Sequence, residues 1–268
     1  MQKKIAVIND LSGYGRCSLT VAIPVLSAMG HQCCPIPTAI LSNHTEFPVY
    51  FFDDYTEKMT TYTDKWKELG LSFDAIATGF LGSEAQIGIV MEIVQKLKAE
   101  KTFVVVDPVM GDHGHAYETY TPEMCEQMKE LVCMADVVLP NVTECCILTD
   151  TPYREENWTR KELLNMAMML RLMGAKSVVI TGVREGSCYT NVVLEQGQYD
   201  AKFIRTRSSG GERPGTGDVF SSVVAGALLN GKSLPEAVSQ AAGFVKECIK
   251  VSDEEQIPHA NGVCFEKI

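Results

Sequence analysis

Short apolar runs alternate with segments of helical period along the chain, and that alternation limits the fold more than any other feature. In Thr102-Phe103-Val104-Val105-Val106 nearly every residue is apolar. A strand with one wet face alternates apolar with polar, whereas one apolar throughout is covered on both faces, the habit of parallel strands. Ile5–Ile8, Gln32–Ile40, Ala75–Gly79, Val137–Leu139 and Ser177–Thr181 read as further strands. Helical spacing runs over Cys17–Met29, Asp54–Leu69, Glu84–Lys98, Glu123–Met134, Val142–Leu148 and Lys161–Met173. Cys188–Leu194 and Tyr199–Thr206 read as a hairpin with Gly197 in its turn, and two helices, Asp218–Leu229 and Pro235–Val251, close the chain. Repeated β-α units predict an α/β fold, a mostly parallel sheet with helices on both faces. No Pro-, Gly- or Ser-rich linker interrupts the pattern, so residues 1–268 read as one domain.

Composition narrows the function classes. With 268 residues, 46% hydrophobic and 22% charged, the chain can bury one large core. A net charge of -10 argues against general nucleic-acid binding, which needs a basic face. It leaves room for a nucleotide, whose phosphates are held locally by backbone N–H groups and a metal. No apolar run reaches the roughly 18 residues of a membrane span. Met1-Gln2-Lys3-Lys4 leads into only Ile5-Ala6-Val7-Ile8, too short for the core of a signal peptide, so a cytoplasmic protein is expected. The ten cysteines are scattered and show no zinc spacing, which suits core-filling thiols in a reducing compartment. A catalytic thiol at Cys17 is the lesser reading. His113 and His115 read as a solvated loop rather than a zinc site.

In parallel sheets, ligands bind at the carboxyl ends of the strands. Here those ends are Asn9-Asp10-Leu11-Ser12-Gly13-Tyr14-Gly15, Ser42-Asn43-His44-Thr45, Thr78-Gly79-Phe80, Asp107 to Asp112, Pro140-Asn141-Val142-Thr143-Glu144 and Thr181-Gly182. Any one could be a cap, but their coincidence on one edge is hard to assign to capping alone. Asp107, Asp112 and Glu144 are hard oxygen donors suited to Mg²⁺, which keeps several waters and binds nucleotide phosphates. Asn141 and Glu144 lie one turn apart at a helix start, where both side chains can face one site, or can simply form a capping box.

Pro214-Gly215-Thr216-Gly217-Asp218-Val219-Phe220 runs into small and apolar residues. This reads as a glycine turn opening a buried helix, whose free N–H groups and positive dipole end suit a phosphate. Asp218, in that first turn, could take a proton from a hydroxyl about to attack the phosphate. An ordinary glycine turn with Asp218 as a helix-start residue is the plainer alternative. No Gly-x-x-x-x-Gly-Lys-[Ser/Thr] loop occurs, and Gly13-Tyr14-Gly15 lacks the third glycine of a dinucleotide fingerprint.

Together, Gly-Thr-Gly-Asp at 215–218, Asp107-Pro108-Val109-Met110-Gly111-Asp112, Asn141-Val142-Thr143-Glu144, Val178-Val179-Ile180-Thr181-Gly182 and Ser42-Asn43-His44-Thr45 resemble the ribokinase-like superfamily, and within it the vitamin B6 kinases. The resemblance runs from about residue 5 to residue 250. It implies a three-layer sandwich and the ATP-dependent phosphorylation of the 5′-hydroxymethyl group of pyridoxal, pyridoxine or pyridoxamine. It further implies Asp218 as general base, with Gly215, Thr216 and Gly217 as an anion hole. ATP would lie against Asp107, Asn141, Glu144, Thr181, Gly182 and Thr216, with Mg²⁺ held through Asp107, Asp112 and Glu144, partly via water. The vitamer would meet Asp10, Ser12, Thr45, Phe80 and Tyr120, while the loop Arg207–Arg213 would lie near the nucleotide with its glycines free to move. A homodimer is implied as well. Many B6 kinases carry serine where Asp10 stands, and Asp10–Gly15 instead resembles the hydroxymethylpyrimidine kinases of thiamin synthesis, the alternative reading. Leu139 replaces a threonine that some relatives associate with a monovalent cation, which puts K⁺ dependence in doubt. A non-enzymatic regulator that binds a B6 vitamer or nucleotide is a third reading; the intact Asp218, Gly215 and Gly217 speak for turnover.

Overall fold

In the computed structural model, which describes residues 2–268, the helical and strand segments fall largely where the periodicity puts them. The strands are β1 (Lys4–Ser12), β2 (Gln32–Leu41), β3 (Phe52–Asp54), β4 (Ala75–Thr78), β5 (Phe103–Val106), β6 (Gly111–Asp112), β7 (His115–Ala116), β8 (Val137–Val138), β9 (Ser177–Glu185), β10 (Cys188–Leu194) and β11 (Lys202–Arg207). The helices are α1 (Ser18–Ala28), α2 (Thr56–Glu68), α3 (Glu84–Leu97), α4 (Pro122–Cys133), α5 (Val142–Leu148), α6 (Arg160–Met173), α7 (Thr216–Leu229) and α8 (Leu234–Glu254). Nine strands form one sheet in the order β11-β10-β9-β8-β5-β4-β1-β2-β3. The six strands expected to share an edge, β1, β2, β4, β5, β8 and β9, all pair in parallel.

Strand alternation divides the core into two layers. Ile5, Val7, Ala75, Val105, Val137 and Val179 pack under α1, α7 and α8. Their neighbours Ala6, Ile8, Ile76, Val104, Val106, Val138, Val178 and Ile180 pack under α2 to α6. This is why the central strands read as unbroken apolar runs: each residue meets a helix layer whichever way it points. The three-layer α/β sandwich is therefore present. Among the described residues, no helix is long and apolar enough to cross a membrane.

Three features escape the periodicity. Edge strand β3 pairs antiparallel with β2, and all three of its residues are exposed, so no buried face marks it. The ribbon of β6 and β7 is only two residues a side. Strand β9 continues past Thr181 to Glu185, because its register with β10 shifts at Thr190/Val192 and a bulge absorbs Thr181 and Gly182. A threonine-glycine pair that reads as the end of a strand is thus a kink within one.

Candidate active site

The chain leaves β1 for β2 on one side, and then places β4 on the other side of β1. This reversal opens a crevice at the carboxyl ends of β1 and β4, where open α/β sheets bind ligands. Asn9 occupies it, 5% exposed. Its Oδ1 accepts hydrogen bonds from the backbone N–H of Asp10 (3.0 Å) and of Phe80 (2.9 Å). Its Nδ2 donates to Asp218 Oδ1 at 3.1 Å. Gly79 is glycine for a steric reason: a Cβ there would overlap the Asn9 side chain.

Asp218 reaches the crevice from the first turn of α7. The preceding Gly215 has φ 77°, in the left-handed region, and a Cβ on it would run into the Arg16 carbonyl. Only glycine lets the turn pass so close to the end of the β1–α1 connection. Gly217 is exposed, with nothing within 4 Å of where a Cβ would stand. Thr216 donates its hydroxyl to the Arg213 carbonyl at 3.0 Å, which fastens the turn. Burial pushes the Asp218 carboxyl up to about 6, and the nearby Asp10 adds to the effect. The Ser18 backbone N–H and Asn9 pull the other way. Ser18 itself holds φ 52°, an uncommon conformation for a residue with a side chain.

Asp10 lies beside this pair, 6% exposed, with the Ser12 hydroxyl donating to its Oδ2 at 2.9 Å. Burial raises its carboxyl above the ordinary range, against hydrogen bonds from Ser18 and Ser12. Thr45 is exposed on the loop after β2. Its neighbour His44 anchors that loop: Nε2 meets the Ala260 carbonyl at 2.7 Å and the ring packs on Phe47 at 4.7 Å. Phe80 is half-buried at the end of β4 and holds Thr38 through its carbonyl at 3.1 Å. Tyr120 has a buried hydroxyl with no hydrogen-bond partner among the described residues, and the charges of Glu144 and Asp107 reach it. It packs in the core under α2–α6, 7% exposed, just before α4 begins.

On the other side of the crevice, Asp107 follows β5 and is half-buried. Glu144 is 4% exposed and spoken for on both oxygens: Oε1 accepts from Met110 N–H (3.1 Å) and Oε2 from Asn141 N–H (2.7 Å). Asn141 completes the capping box by accepting from Glu144 N–H at 2.9 Å and donates to the Gly111 carbonyl at 2.8 Å. Glu144 and Asn141 thereby tie the Asp107–Gly111 segment to the start of α5. Thr181 bridges Asn141 across β8–β9, and its N–H donates to the Pro140 carbonyl at 2.8 Å. Gly182 is exposed beside it.

The trio Asp107, Asp112 and Glu144, expected to hold Mg²⁺ partly through water, does not close around one point. The ribbon carries Asp112 outward, its side chain 54% exposed and its Oδ1 capping His113 N–H at 2.8 Å. Among the described residues, no three His, Cys, Asp or Glu side chains gather as a metal-holding group. The remaining chemistry nonetheless fits a hydrated dication. Burial raises both Asp107 and Glu144; the charge of Asp218 adds to the rise at Asp107, and those of Asp107 and Asp112 add to it at Glu144. Negative charge therefore gathers around Asp107. A water-clad Mg²⁺ beside phosphates would relieve it, without three direct protein ligands.

In the loop Arg207–Arg213, open space surrounds Gly211, whereas Gly210 and Arg213 are held. Arg213 forms a 2.8 Å ion pair with Asp253, and Gly210 packs directly on Asp253. Glu212 approaches His113 on the ribbon at 3.4 Å. Cys17 is buried, and burial pushes its thiol up to about 12, which removes it as a nucleophile at neutral pH. All ten cysteines are free thiols. Asn9 and Ser18 are the site residues to which sequence reasoning gave no role of their own. Asn9 was visible at the end of a strand, but nothing in the chain marks a contact 209 residues away.

A family model described as phosphomethylpyrimidine kinase matches residues 22–264. The chain is 39% identical to a protein of Bacteroides thetaiotaomicron assigned as a phosphomethylpyrimidine kinase and crystallised with pyridoxal; the match covers 100% of this chain and 94% of that one, with a TM-score of 0.94. It is 28% identical to pyridoxal kinase from Lactobacillus plantarum over 100% of this chain and 95% of that one, with a TM-score of 0.92. It is also 32% identical to a hydroxymethylpyrimidine/phosphomethylpyrimidine kinase of Aquifex aeolicus over 174 residues, 64% of this chain and 66% of the relative. The resemblance to the B6 kinases of the ribokinase-like superfamily thus holds, and the pyrimidine kinases stand beside them.

Proposed function

The chain belongs to the phosphomethylpyrimidine kinase family, and from that premise we propose that it phosphorylates the 5′-hydroxymethyl group of B6 vitamers with ATP. The observation that carries this reading is the Asp218 carboxyl, raised to about 6, on the first turn of a glycine-led helix at the sheet's crevice. A base of that strength is ionised at neutral pH yet still able to accept a proton. Asp218 takes the hydroxymethyl proton as the oxygen attacks the γ-phosphorus. The new P–O bond forms as the bond to the β-phosphate oxygen breaks, and ADP departs. The N–H groups of Gly215, Thr216 and Gly217 meet the charge on the transferring group.

Asp107 and Glu144, with Asp112 at the ribbon, would hold Mg²⁺ through water, and the ion would supply charge neutralisation at the phosphates. Asn141, Thr181 and Gly182 line the path of the nucleotide. Asp10 and Ser12 meet the ring nitrogen or 3-hydroxyl of the vitamer, Phe80 and Thr45 flank it, and Tyr120 supports that wall from the core. The protein would act as a cytoplasmic homodimer, in keeping with the resemblance.

A second reading, phosphorylation of hydroxymethylpyrimidine, is favoured by the buried Asp10 carboxyl, which suits an aminopyrimidine or a protonated ring nitrogen. ADP release with Mg-ATP is to be measured against pyridoxal, pyridoxine, pyridoxamine, hydroxymethylpyrimidine and ribose, with Asp218→Asn as control. Turnover of the vitamers, lost in the variant, supports the proposal. A preference for the pyrimidine moves the protein to the second reading, and binding without turnover leaves a regulator.

A further inference from the structure

Asp218 stands on the first turn of α7, and something must hold its carboxylate toward the crevice. The space beneath it does not: a cavity of about 20 Å³ lies there, lined by Val7, Ala22, Ala77 and Thr78 among others. The side-chain hydrogen bond that restrains the carboxylate comes from Asn9 Nδ2, at 3.1 Å. Asn9 is itself immobilised, since its Oδ1 receives two backbone N–H groups, one from its own strand and one from β4. Those two donors also decide which way the amide points: with Oδ1 committed to donors, Nδ2 must face the carboxylate. The fit is close enough that residue 79 has no space for a side chain.

We propose that Asn9 is a positioning residue for the phosphoryl transfer: it clamps the Asp218 carboxylate in the orientation that receives the substrate proton, and Gly79 exists to admit it. The clamp works because both ends of the amide are used. The oxygen fixes Asn9 across the crevice between two strands, and the nitrogen spends its donor on Oδ1 of the base, working together with the Ser18 backbone N–H. This inference rests on Asp218 being the base.

The test is Asn9→Asp in the full-length protein. The substituted side chain keeps an oxygen for the Asp10 and Phe80 N–H groups, so the crevice stays assembled, but it sets a second carboxylate against Asp218 in place of a donor. Steady-state kinetics with the preferred acceptor should show kcat reduced about 10- to 100-fold, the size of one lost hydrogen bond to a charged group. The acceptor KM should stay within about 3-fold, although the thermal midpoint should drop by a few degrees because a second carboxylate is buried against Asp218. Asn9→Ser, which frees the carboxylate without adding charge, should lose kcat less severely. Wild-type kcat in Asn9→Asp would overturn the proposal, as would a loss matched by a raised KM. Asp218→Asn separates the two ideas: if it keeps wild-type turnover, the base assignment fails first, whereas a dead Asp218→Asn beside a fully active Asn9→Asp sinks the clamp alone.

Discussion

Asp218 shows how one carboxylate can work for activity and against stability. Its carboxyl titrates near 6 in the folded chain, above the ordinary 3.8, because burial disfavours the charge. As a base it must be ionised, so the acidic limb of kcat/KM should bend near pH 6, with rate rising as pH rises through it. Stability runs the other way. The folded state binds more protons than the unfolded state between about pH 4 and 6, so stability falls as pH climbs across that window. At neutral pH this amounts to about 1–3 kcal/mol. Asp218→Asn should therefore lose about 10²- to 10⁴-fold in kcat while melting several degrees above wild type at pH 7.5. That advantage should vanish near pH 4. A variant melting below wild type at pH 7.5 would contradict the burial argument.

At the scale of the element, the entry to α7 depends on backbone geometry rather than on side chains. Gly215 sits at φ 77° against the Arg16 carbonyl, so an alanine there carries both a left-handed strain and a collision. Gly215→Ala should cost at least about 1–2 kcal/mol from the conformation alone. Because the turn also presents the N–H groups proposed for phosphate, the KM for ATP should rise several-fold in the same variant. Differential scanning fluorimetry and ATP titration check the two effects separately. Gly217→Ala is the comparison, since open space surrounds that position and its stability should change little. The capping box at Asn141 and Glu144 is an element-scale feature as well. Its sequence signature was plain, yet the same pair also anchors the segment after β5 through Met110 and Gly111.

For the whole molecule, the sheet brings acids from β1, β5, α5 and α7 to one edge, and their mutual repulsion is part of the cost of the fold. A ligand that carries a dication to this edge should stabilise the entire chain by mass action, about 2.7 kcal/mol at 100 times its dissociation constant. A non-hydrolysable ATP analogue with Mg²⁺ should raise the thermal midpoint by several degrees, and EDTA should remove most of the gain. An equal shift with and without the metal would argue against the proposed use of Asp107 and Glu144. The two core layers set how cooperatively that stabilisation spreads, since α7 belongs to one layer and α5 to the other.

The local sequence determined the α/β class, the six parallel strands and the glycine turn before Asp218, because period, turn residues and propensity are properties of neighbours along the chain. Most element limits followed to within a few residues for the same reason: α5 was read as Val142–Leu148 and occurs there. Only the tertiary structure decided which strand ends face one another. Asn9 finds Asp218 through strand order, Tyr120 packs into the core, and Asp112 turns out to solvent. A side chain's direction at the end of an element depends on what the rest of the fold packs against it, and that information is spread over residues hundreds of positions apart.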